Sequence, residues 1–288
     1  MTTEKQFVVL DLSAQGEAKR KQIFTSSNIL KPGLSLRFLE QTADQLSAVK
    51  ENPITLLSTK SFQEKVDCIF LPTTMSDSLI QVASVISEEV KEMGFVDCIL
   101  LQNSKNWLRC FLAQALRQSI IDEHSTLNTH QAAFVTDGGA WTHLCCSLLM
   151  QMGFKNIVIL SEDVDSSQSK FKSTQAKYFG SQISYLSFDK LTEQPSHASV
   201  LINLLDSTEK PELYGDLLYL NFLKRDSLVI DLFSDQVTSA LTEESVVAGV
   251  HSFTGLLVLA LRDFYVLEHI TGGQLAVGQD QFRKHYLS

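Results

Sequence analysis

The sequence of 288 residues is short of basic side chains and has no long apolar segment. Lysine and arginine number 24 against 33 aspartates and glutamates, which gives a formal net charge of −9. This balance argues against nucleic acid or an anionic membrane as a partner, because either would need a basic surface. The densest basic cluster, Lys19 to Lys21 with Arg20 between them, is expected to be a solvated turn or helix face. The longest apolar run, 254–261, is far shorter than the ~20 residues that a membrane span needs.

Cysteines in close pairs with metal-site spacing are also absent. The five cysteines are odd in number and scattered, without a CxxC motif or a nearby pair of histidines. This pattern favours reduced thiols over a disulfide framework or a zinc site. The N-terminal residues also lack a basic region followed by a long apolar stretch, which a signal peptide would have. We therefore expect a cytoplasmic protein that holds no metal ion.

Short apolar runs alternate with helical patterns along the chain, which predicts an α/β fold with parallel strands and crossover helices. The length exceeds what one core usually holds, so two domains are expected. Before residue 128, the predicted strands are 7–12, 54–58, 68–71 and 96–101, and the predicted helices are 36–49 and 77–93. After it, the predicted strands are 132–136, 156–160, 174–179, 182–186, 200–204 and 227–232, and the predicted helices are 140–152 and 252–270.

The polar, turn-rich segment 126–131 is the expected boundary between the domains. The predicted helix 252–270 is too apolar to stand alone. It is therefore expected to pack between the domains or back onto the first one. The domains are expected to be 1–128 with the returning helices of 253–288, and 129–252.

Residues 133–163 read as a strand, a Gly-Gly turn, a helix, a second strand and then acids, which is the first unit of a dinucleotide-binding fold. Glycines let backbone N–H groups approach a pyrophosphate, and a helix N-terminus adds partial positive charge. The candidate cofactor-binding residues are Thr136, Asp137, Gly138, Gly139, Ala140, Glu162 and Asp163.

Two residues of this loop oppose a phosphorylated cofactor. Thr136 stands where the first glycine of the motif belongs, so its Cβ crowds the turn. Asp137 places a carboxylate where it would repel a diphosphate. Trp141 either packs or covers the nucleotide site. Both dinucleotide binding and a Rossmann-type fold kept for structure alone remain open.

Several segments resemble the shikimate dehydrogenase family. The segment TDGGAWTHLCCSLLMQMGFKNIVILSED (136–163) resembles that family's GAGGAARA…LNRT region, and 72–100 resembles its IPHK…VNTI region. Shorter matches occur at 33–40 for the SLSPxxHN substrate motif, at 200–205 for VINAT, and at 229–244 and 252–272. The resemblance implies an N-terminal α/β substrate domain, a C-terminal Rossmann-type domain, and last helices that pack back on the first domain.

The family reduces 3-dehydroshikimate with NADPH, using a lysine and an aspartate beside the reacting carbonyl. In the match that lysine falls on Thr74, which has no ammonium group. The aspartate falls on Lys105, and an asparagine of the substrate site falls on Asp97. A shift of register would instead make Lys60 the lysine. With Ser35 from the substrate motif and His251, the candidate substrate-side residues are Ser35, Thr74, Asp97, Lys105 and His251.

On the nucleotide side, the arginine that pairs with the 2′-phosphate of NADP falls on Glu162. The match therefore predicts no cofactor or NAD, with a ribose bonded to Glu162 or Asp163, and disfavours NADP. The leading hypothesis is a pseudoenzyme that binds a small ligand or a protein partner. The alternative is an NAD-dependent oxidoreductase of another hydroxy or keto substrate, with Lys105 or His251 as proton donor. An authentic shikimate dehydrogenase is the least favoured reading.

Overall fold

The computed structural model describes residues 5–13, 16–26, 28–39, 66–72, 79–80, 83–103, 105–177, 180–193 and 197–288. The chain divides into two compact units. The first is Met1–Ala115 with Leu259–Ser288, and the second is Leu116–Val258. These divisions fall inside two helices. The boundaries expected from the sequence, at 128/129 and 252/253, remain predictions.

The first unit is built on a six-stranded mixed sheet. In chain order its elements are β1 (Lys5–Asp11), α1 (Glu17–Phe24), β2 (Leu34–Phe38), β3 (Cys68–Phe70), β4 (Val85–Ile86), α2 (Glu88–Met93), β5 (Cys98–Gln102), β6 (Lys105–Arg109), the start of α3 (Phe111–Glu123), the end of α8 (Gly255–Thr271) and α9 (Gln279–Leu287). The strand order is β2-β1-β3-β5-β6-β4. β1 runs parallel to β2 and β3, whereas β5 runs antiparallel to both β3 and β6.

The central strands of this sheet are short apolar runs. Every residue of β3 is buried, as are the first four of β5, which is expected for strands covered on both faces. β5 and β6 form a hairpin whose tight turn holds Asn103 at a φ of 53°. Asparagine tolerates this left-handed conformation better than most residues.

The second unit is an all-parallel sheet. Its elements are β7 (Ala132–Thr136), α4 (Ala140–Gln151), β8 (Asn156–Leu160), α5 (Val164–Lys177), β9 (Gln182–Leu186), a 3-10 helix (Phe188–Glu193), β10 (Ala198–Asn203), α6 (Pro211–Leu217), a second 3-10 helix (Leu220–Phe222), β11 (Leu223–Asp231), α7 (Ala240–Ala248) and β12 (His251–Thr254). The strand order is β12-β11-β10-β7-β8-β9. Because the order reverses between β7 and β10, the carboxyl ends of these two strands border a crevice. The predicted Rossmann-type sheet is confirmed.

α4 is the most deeply buried of the second unit's helices that follow β7. Its residues from Leu144 to Leu149 are all buried, and they include both adjacent cysteines, Cys145 and Cys146. Burial raises the pKa of both thiols well above the ordinary value. They therefore act as small core residues, as expected. Among the described helices, none is long and apolar enough to cross a membrane.

Some predicted elements were wrong in the first unit. Residues 36–38 of the predicted helix 36–49 belong to strand β2, and 40–49 lie outside the described residues. The predicted helix 77–93 is interrupted by strand β4, and α2 begins only at Glu88, after Ser87 accepts a hydrogen bond from Val90 N. The predicted strand 54–58 lies outside the described residues.

Two further predictions failed near the second sheet. The predicted strand 174–179 was wrong because 174–177 form the last turn of α5. The predicted helix 252–270 begins three residues too early, since 252–254 pair with β11 as part of β12. Helix α8 starts at Gly255, where only glycine fits because a Cβ would lie 2.9 Å from the carbonyl oxygen of Ser234 and closer still to that of Leu232.

Replacing Gly255 with alanine should lower the free energy of unfolding by at least about 2 kcal/mol, because backbone atoms must move to admit the methyl group. Urea unfolding measures this change. Gly215→Ala is the matched control, because it lies in helix α6 with open space around its Cβ position. That control should hold or raise stability by up to about 1 kcal/mol. Equal effects of the two substitutions would contradict the steric account.

Candidate functional site

The candidate nucleotide site is the turn that joins β7 to α4 in the second unit. Thr136, the last residue of β7, is fully buried beneath this turn. Its hydroxyl accepts a hydrogen bond of 2.6 Å from the backbone N–H of Leu204 and lies 3.3 Å from Asn203 Oδ1. The position of Thr136 in the motif suggested that its Cβ would crowd the turn. The structure shows no such clash. Its side chain bridges β7 to the end of β10 instead.

The two glycines of the turn are both required by local geometry. A Cβ on Gly138 would lie 2.6 Å from Leu204 Cβ, closer than side chains approach. Gly139 has a φ of 67°, a conformation that favours glycine. Ala140 follows as the exposed first residue of α4. The expected Gly-Gly turn before a helix is confirmed.

The backbone N–H groups of this turn are occupied by side chains of the chain itself. Gly138 N donates to the hydroxyl of Thr142 over 2.8 Å, and Gly139 N donates to Asp137 Oδ1 over 3.1 Å. In a dinucleotide-binding fold such groups point at the pyrophosphate. Here a carboxylate and a hydroxyl take that role.

Asp137 is held on both of its oxygens. Oδ1 accepts the bond from Gly139, and Oδ2 accepts one from the hydroxyl of the buried Ser167 on α5. Ser167 also lies 2.7 Å from the hydroxyl of Ser161, which follows β8. The carboxylate therefore fastens the turn to α5, and its negative charge lies at the N-terminus of α4, where it is favourable.

The two acids after β8 have different roles. Asp163 Oδ1 accepts a hydrogen bond of 3.0 Å from Ser166 N, so Asp163 caps the N-terminus of α5. Glu162 is about half exposed and forms an ion pair with Lys210, which directly precedes α6. Both acids are exposed, so either side chain can reach a ligand, and Glu162 is the one that is ion-paired.

A pocket of about 310 Å³ opens beside the turn. Its walls combine apolar side chains continuous with the core and a charged rim. It is lined by Asp137, Gly138, Gly139, Leu160, Ser161, Glu162, Asp163, Ser166, Lys170, Phe188, Leu205, Lys210 and Leu213. Five of the seven predicted cofactor residues therefore share this pocket. Thr136 lies beneath it, and Ala140 is not among its lining residues.

Asp97, a predicted substrate-side residue of the first unit, is buried and caps a helix. Its carboxylate accepts hydrogen bonds from Phe111 N at 3.0 Å and Leu112 N at 2.6 Å, at the start of α3. Burial raises the pKa of this carboxyl to about 6, although Arg262 and the two N–H donors act in the opposite direction. The expected contact of Asp97 with a ligand is thus replaced by an internal role.

The remaining substrate-side candidates within the described residues belong to both units. Ser35 is half-buried in β2, a terminal strand of the first sheet, and Lys105 is exposed at the start of β6. His251 is exposed at the start of β12, in the second unit. Thr74 and Lys60 lie outside the described residues. Within the described residues, no group of three or more histidine, cysteine, aspartate or glutamate side chains is arranged to hold a metal ion.

The expected solvation of the basic cluster is wrong for Arg20, which is fully buried in the first unit. Its guanidinium forms ion pairs with Asp11 and Asp263, the latter at 2.9 Å, and lies 4.1 Å from the ring centre of Phe70. Desolvation alone would lower the pKa of Arg20, but the two carboxylates hold it above its ordinary value. The adjacent charges of Arg262 and Asp263 inside an apolar helix were the sequence signal for this cluster.

The sequence also did not predict the side chains that hydrogen-bond to the turn between β7 and α4. Thr142 and Ser167 lie on different helices and follow no spacing rule that links them to Asp137. Nothing in the sequence pattern distinguishes Ser167 from its neighbours in a serine-rich segment. Their role emerges only from the packing of α5 against the turn.

The raised pKa of Asp97 gives stability a defined pH dependence. The pKa of this carboxyl is 3.8 in the unfolded chain and about 6 in the folded chain, so the folded state binds more protons between these pH values. This group's contribution to stability is therefore greatest below about pH 4 and falls as the pH rises to about 6. Asp97→Asn should remove that fall. Its free energy of unfolding should therefore increase by about 2–3 kcal/mol relative to that of the wild type as the pH rises from 4 to 7.

Chemical unfolding at pH 4, 5, 6 and 7 measures this difference. Asp280→Asn, which changes an exposed aspartate of the same unit, should leave the wild-type pH dependence intact. A constant difference between Asp97→Asn and wild type at all four pH values would show that Asp97 is not desolvated as described.

No protein-family model matches the sequence, and no curated protein is similar enough to match it. Solved structures match over nearly the whole chain. Quinate dehydrogenase from Corynebacterium glutamicum in complex with NAD is 10% identical, with 99% of each chain covered and a TM-score of 0.74. Shikimate dehydrogenase from Aquifex aeolicus is 13% identical, with 100% of this chain and 99% of that chain covered and a TM-score of 0.71.

A third match is shikimate 5-dehydrogenase from Thermus thermophilus in complex with NADP(H) and shikimate. It is 14% identical, with 98% of each chain covered and a TM-score of 0.68. These proteins include an NAD complex and an NADP(H) complex, so the fold does not support the expectation that NADP is disfavoured. Together, the mixed sheet of the first unit, the parallel sheet of the second and these matches show that the chain has the fold of the shikimate and quinate dehydrogenases.

Proposed function

We propose that this protein is a pseudoenzyme: it has a dehydrogenase-like fold, lacks dinucleotide-dependent turnover, and binds a small ligand or a protein partner. One observation carries the proposal. The N–H groups of Gly138 and Gly139, which would receive a diphosphate, already donate to Thr142 and Asp137. The turn therefore fits a dinucleotide poorly.

The cost of placing a diphosphate at this turn can be bounded. Each unit of phosphate charge at roughly 5 Å from the Asp137 carboxylate costs about 1–3 kcal/mol, for effective dielectric constants between that of water and 20. Moving the carboxylate aside would break its bonds to Gly139 and Ser167 and leave the buried Ser167 hydroxyl with fewer partners. Either route weakens binding by at least an order of magnitude.

The substrate side supports the same conclusion. By the resemblance, Thr74 stands in place of the lysine, and a threonine hydroxyl does not supply the cationic acid that polarises a carbonyl. Asp97, which stands in place of an asparagine, is committed to capping α3. Loss of both groups would remove several kcal/mol of transition-state stabilisation.

The alternative function is an oxidoreductase with a different small hydroxy or keto substrate. The observation that favours it is the pocket, which retains the Gly-Gly turn and the accessible carboxylate of Glu162. Lys170 and Lys210 also line this pocket, and their charges would accommodate a phosphate as well as a ribose. NAD and NADP must therefore both be tested.

Isothermal titration calorimetry with NAD+, NADH, NADP+ and NADPH tests the proposal directly. We expect no saturable binding below about 1 mM, and no absorbance change at 340 nm during incubation with shikimate or quinate. Micromolar binding accompanied by turnover of either compound would overturn the pseudoenzyme assignment. Binding of NAD(H) without turnover of these two compounds would favour the alternative oxidoreductase.

Removing the charge of Asp137 should reopen the turn to phosphates. Asp137→Asn keeps the side-chain size and is expected to bind ADP at least about fivefold more tightly than wild type, because about 1–3 kcal/mol of repulsion is removed. Asp165→Asn makes the same charge change on an exposed residue of α5 that does not line the pocket. Calorimetry of the two variants separates the local effect from net charge. Equal ADP affinities would contradict the role given to Asp137.

A further inference from the structure

Away from this pocket, two histidines meet at the surface of the second unit. His124 directly follows α3, and His251 is the first residue of β12. Their ring centroids lie 4.9 Å apart, and the ring planes are inclined by 66°. His251 is exposed and His124 is partly exposed, so solvent and ions can reach the pair.

The ring of His124 is oriented by the backbone. Its Nε2 lies 2.8 Å from the carbonyl oxygen of Asp226, a residue of β11. A carbonyl oxygen can only accept a hydrogen bond, so Nε2 carries the proton and Nδ1 carries the lone pair of the neutral ring. Histidines that bind metals commonly donate their second N–H to a carbonyl in this way, which fixes the tautomer and the ring orientation.

The two rings make an edge-to-face contact, at a centroid distance that a shared metal ion also allows once the exposed ring of His251 turns a nitrogen toward His124. Two imidazoles bound at a metal–nitrogen distance of about 2.0–2.1 Å, with an angle of roughly 90–110° between them, have centroids about 4.5–5.5 Å apart. The observed 4.9 Å lies within this interval. Among the described residues, no carboxylate forms an ion pair with either histidine, so no acid competes with a metal ion for the ring nitrogens.

We propose that His124 Nδ1 and one ring nitrogen of His251 form a binding site for a borderline transition-metal ion such as Cu²⁺, Ni²⁺ or Zn²⁺. Two protein ligands leave the other coordination positions to water. The affinity should follow the general order for nitrogen ligands, with Cu²⁺ bound more tightly than Ni²⁺ or Zn²⁺. Because neutral imidazole is the ligand and protons compete with the metal ion for it, affinity falls as the pH is lowered.

A bound ion would join the end of α3 to β12 within one unit. An ion that binds only the folded state stabilises it in proportion to the logarithm of its concentration over the dissociation constant. The thermal midpoint should therefore rise with added metal. This site does not depend on the proposed function, since it shares no residue with the nucleotide pocket.

The test is calorimetry of the whole chain with CuCl2, NiCl2 and ZnCl2 at pH 7.5, together with electron paramagnetic resonance of the Cu²⁺ complex. We expect one ion per chain, with nitrogen hyperfine structure from two imidazoles. His251→Asn, which alters an exposed side chain, should weaken Cu²⁺ binding at least tenfold and leave a single nitrogen ligand. His130→Asn, an exposed histidine of the same unit, should bind as wild type does.

His124→Asn supplies an independent check on the second ligand, and its fold is verified by the thermal midpoint without metal. A dissociation constant weaker than 1 mM for Cu²⁺ in the wild type would overturn the proposal. Wild-type affinity in both folded variants would also overturn it, because it would show that the two rings only make an edge-to-face contact.

Discussion

The hydrogen bonds of one carboxylate, that of Asp137, organise the turn between β7 and α4 and the pocket beside it. Asp137 accepts bonds from Gly139 N on its own turn and from Ser167 on α5, and so binds two elements that follow different strands. The rest of the site depends on this arrangement. Ser161 and Ser167 complete the chain of hydrogen bonds, and the carboxylate of Asp137 lines the pocket beside the turn. A ligand for this pocket must tolerate that charge.

The first unit satisfies its buried polar groups by the same means. Arg20 joins β1 to α8 through Asp11 and Asp263, and the hydroxyl of Tyr286 donates to Asp263 over 2.6 Å. Removing one partner from such a network leaves an uncompensated buried charge, which costs about 3–5 kcal/mol. Asp97 likewise serves α3 rather than a ligand. In both units, side chains and backbone groups of the chain itself satisfy these donors and acceptors.

The sequence predicts the second sheet well because its strands are short apolar runs bounded by turn residues. Strands β7, β8 and β9 have the predicted limits. Prediction failed where periodicity is ambiguous. Residues 252–254 continue an apolar helix pattern, yet their backbone pairs with β11. Helix α8 starts at Gly255, where the carbonyl of Leu232 lies too close to admit a side chain. The site was predictable as a location, since Gly138 and Gly139 mark it. Its chemistry was not, because Thr142, Ser167 and Lys210 reach it through tertiary packing.

A Gly-Gly turn is often taken as a sign of a bound nucleotide, and this structure shows why it need not be. Gly138 is required because a Cβ would collide with Leu204, whatever the turn binds. Gly139 is required because its φ of 67° disfavours a side chain. The first constraint comes from the close approach of Leu204, which directly follows β10, and the second comes from the local backbone of the turn. The polar residues around the turn are held by hydrogen bonds rather than by close packing. In this architecture the glycines therefore indicate the fold, and the charged side chains beside them indicate which ligand can bind.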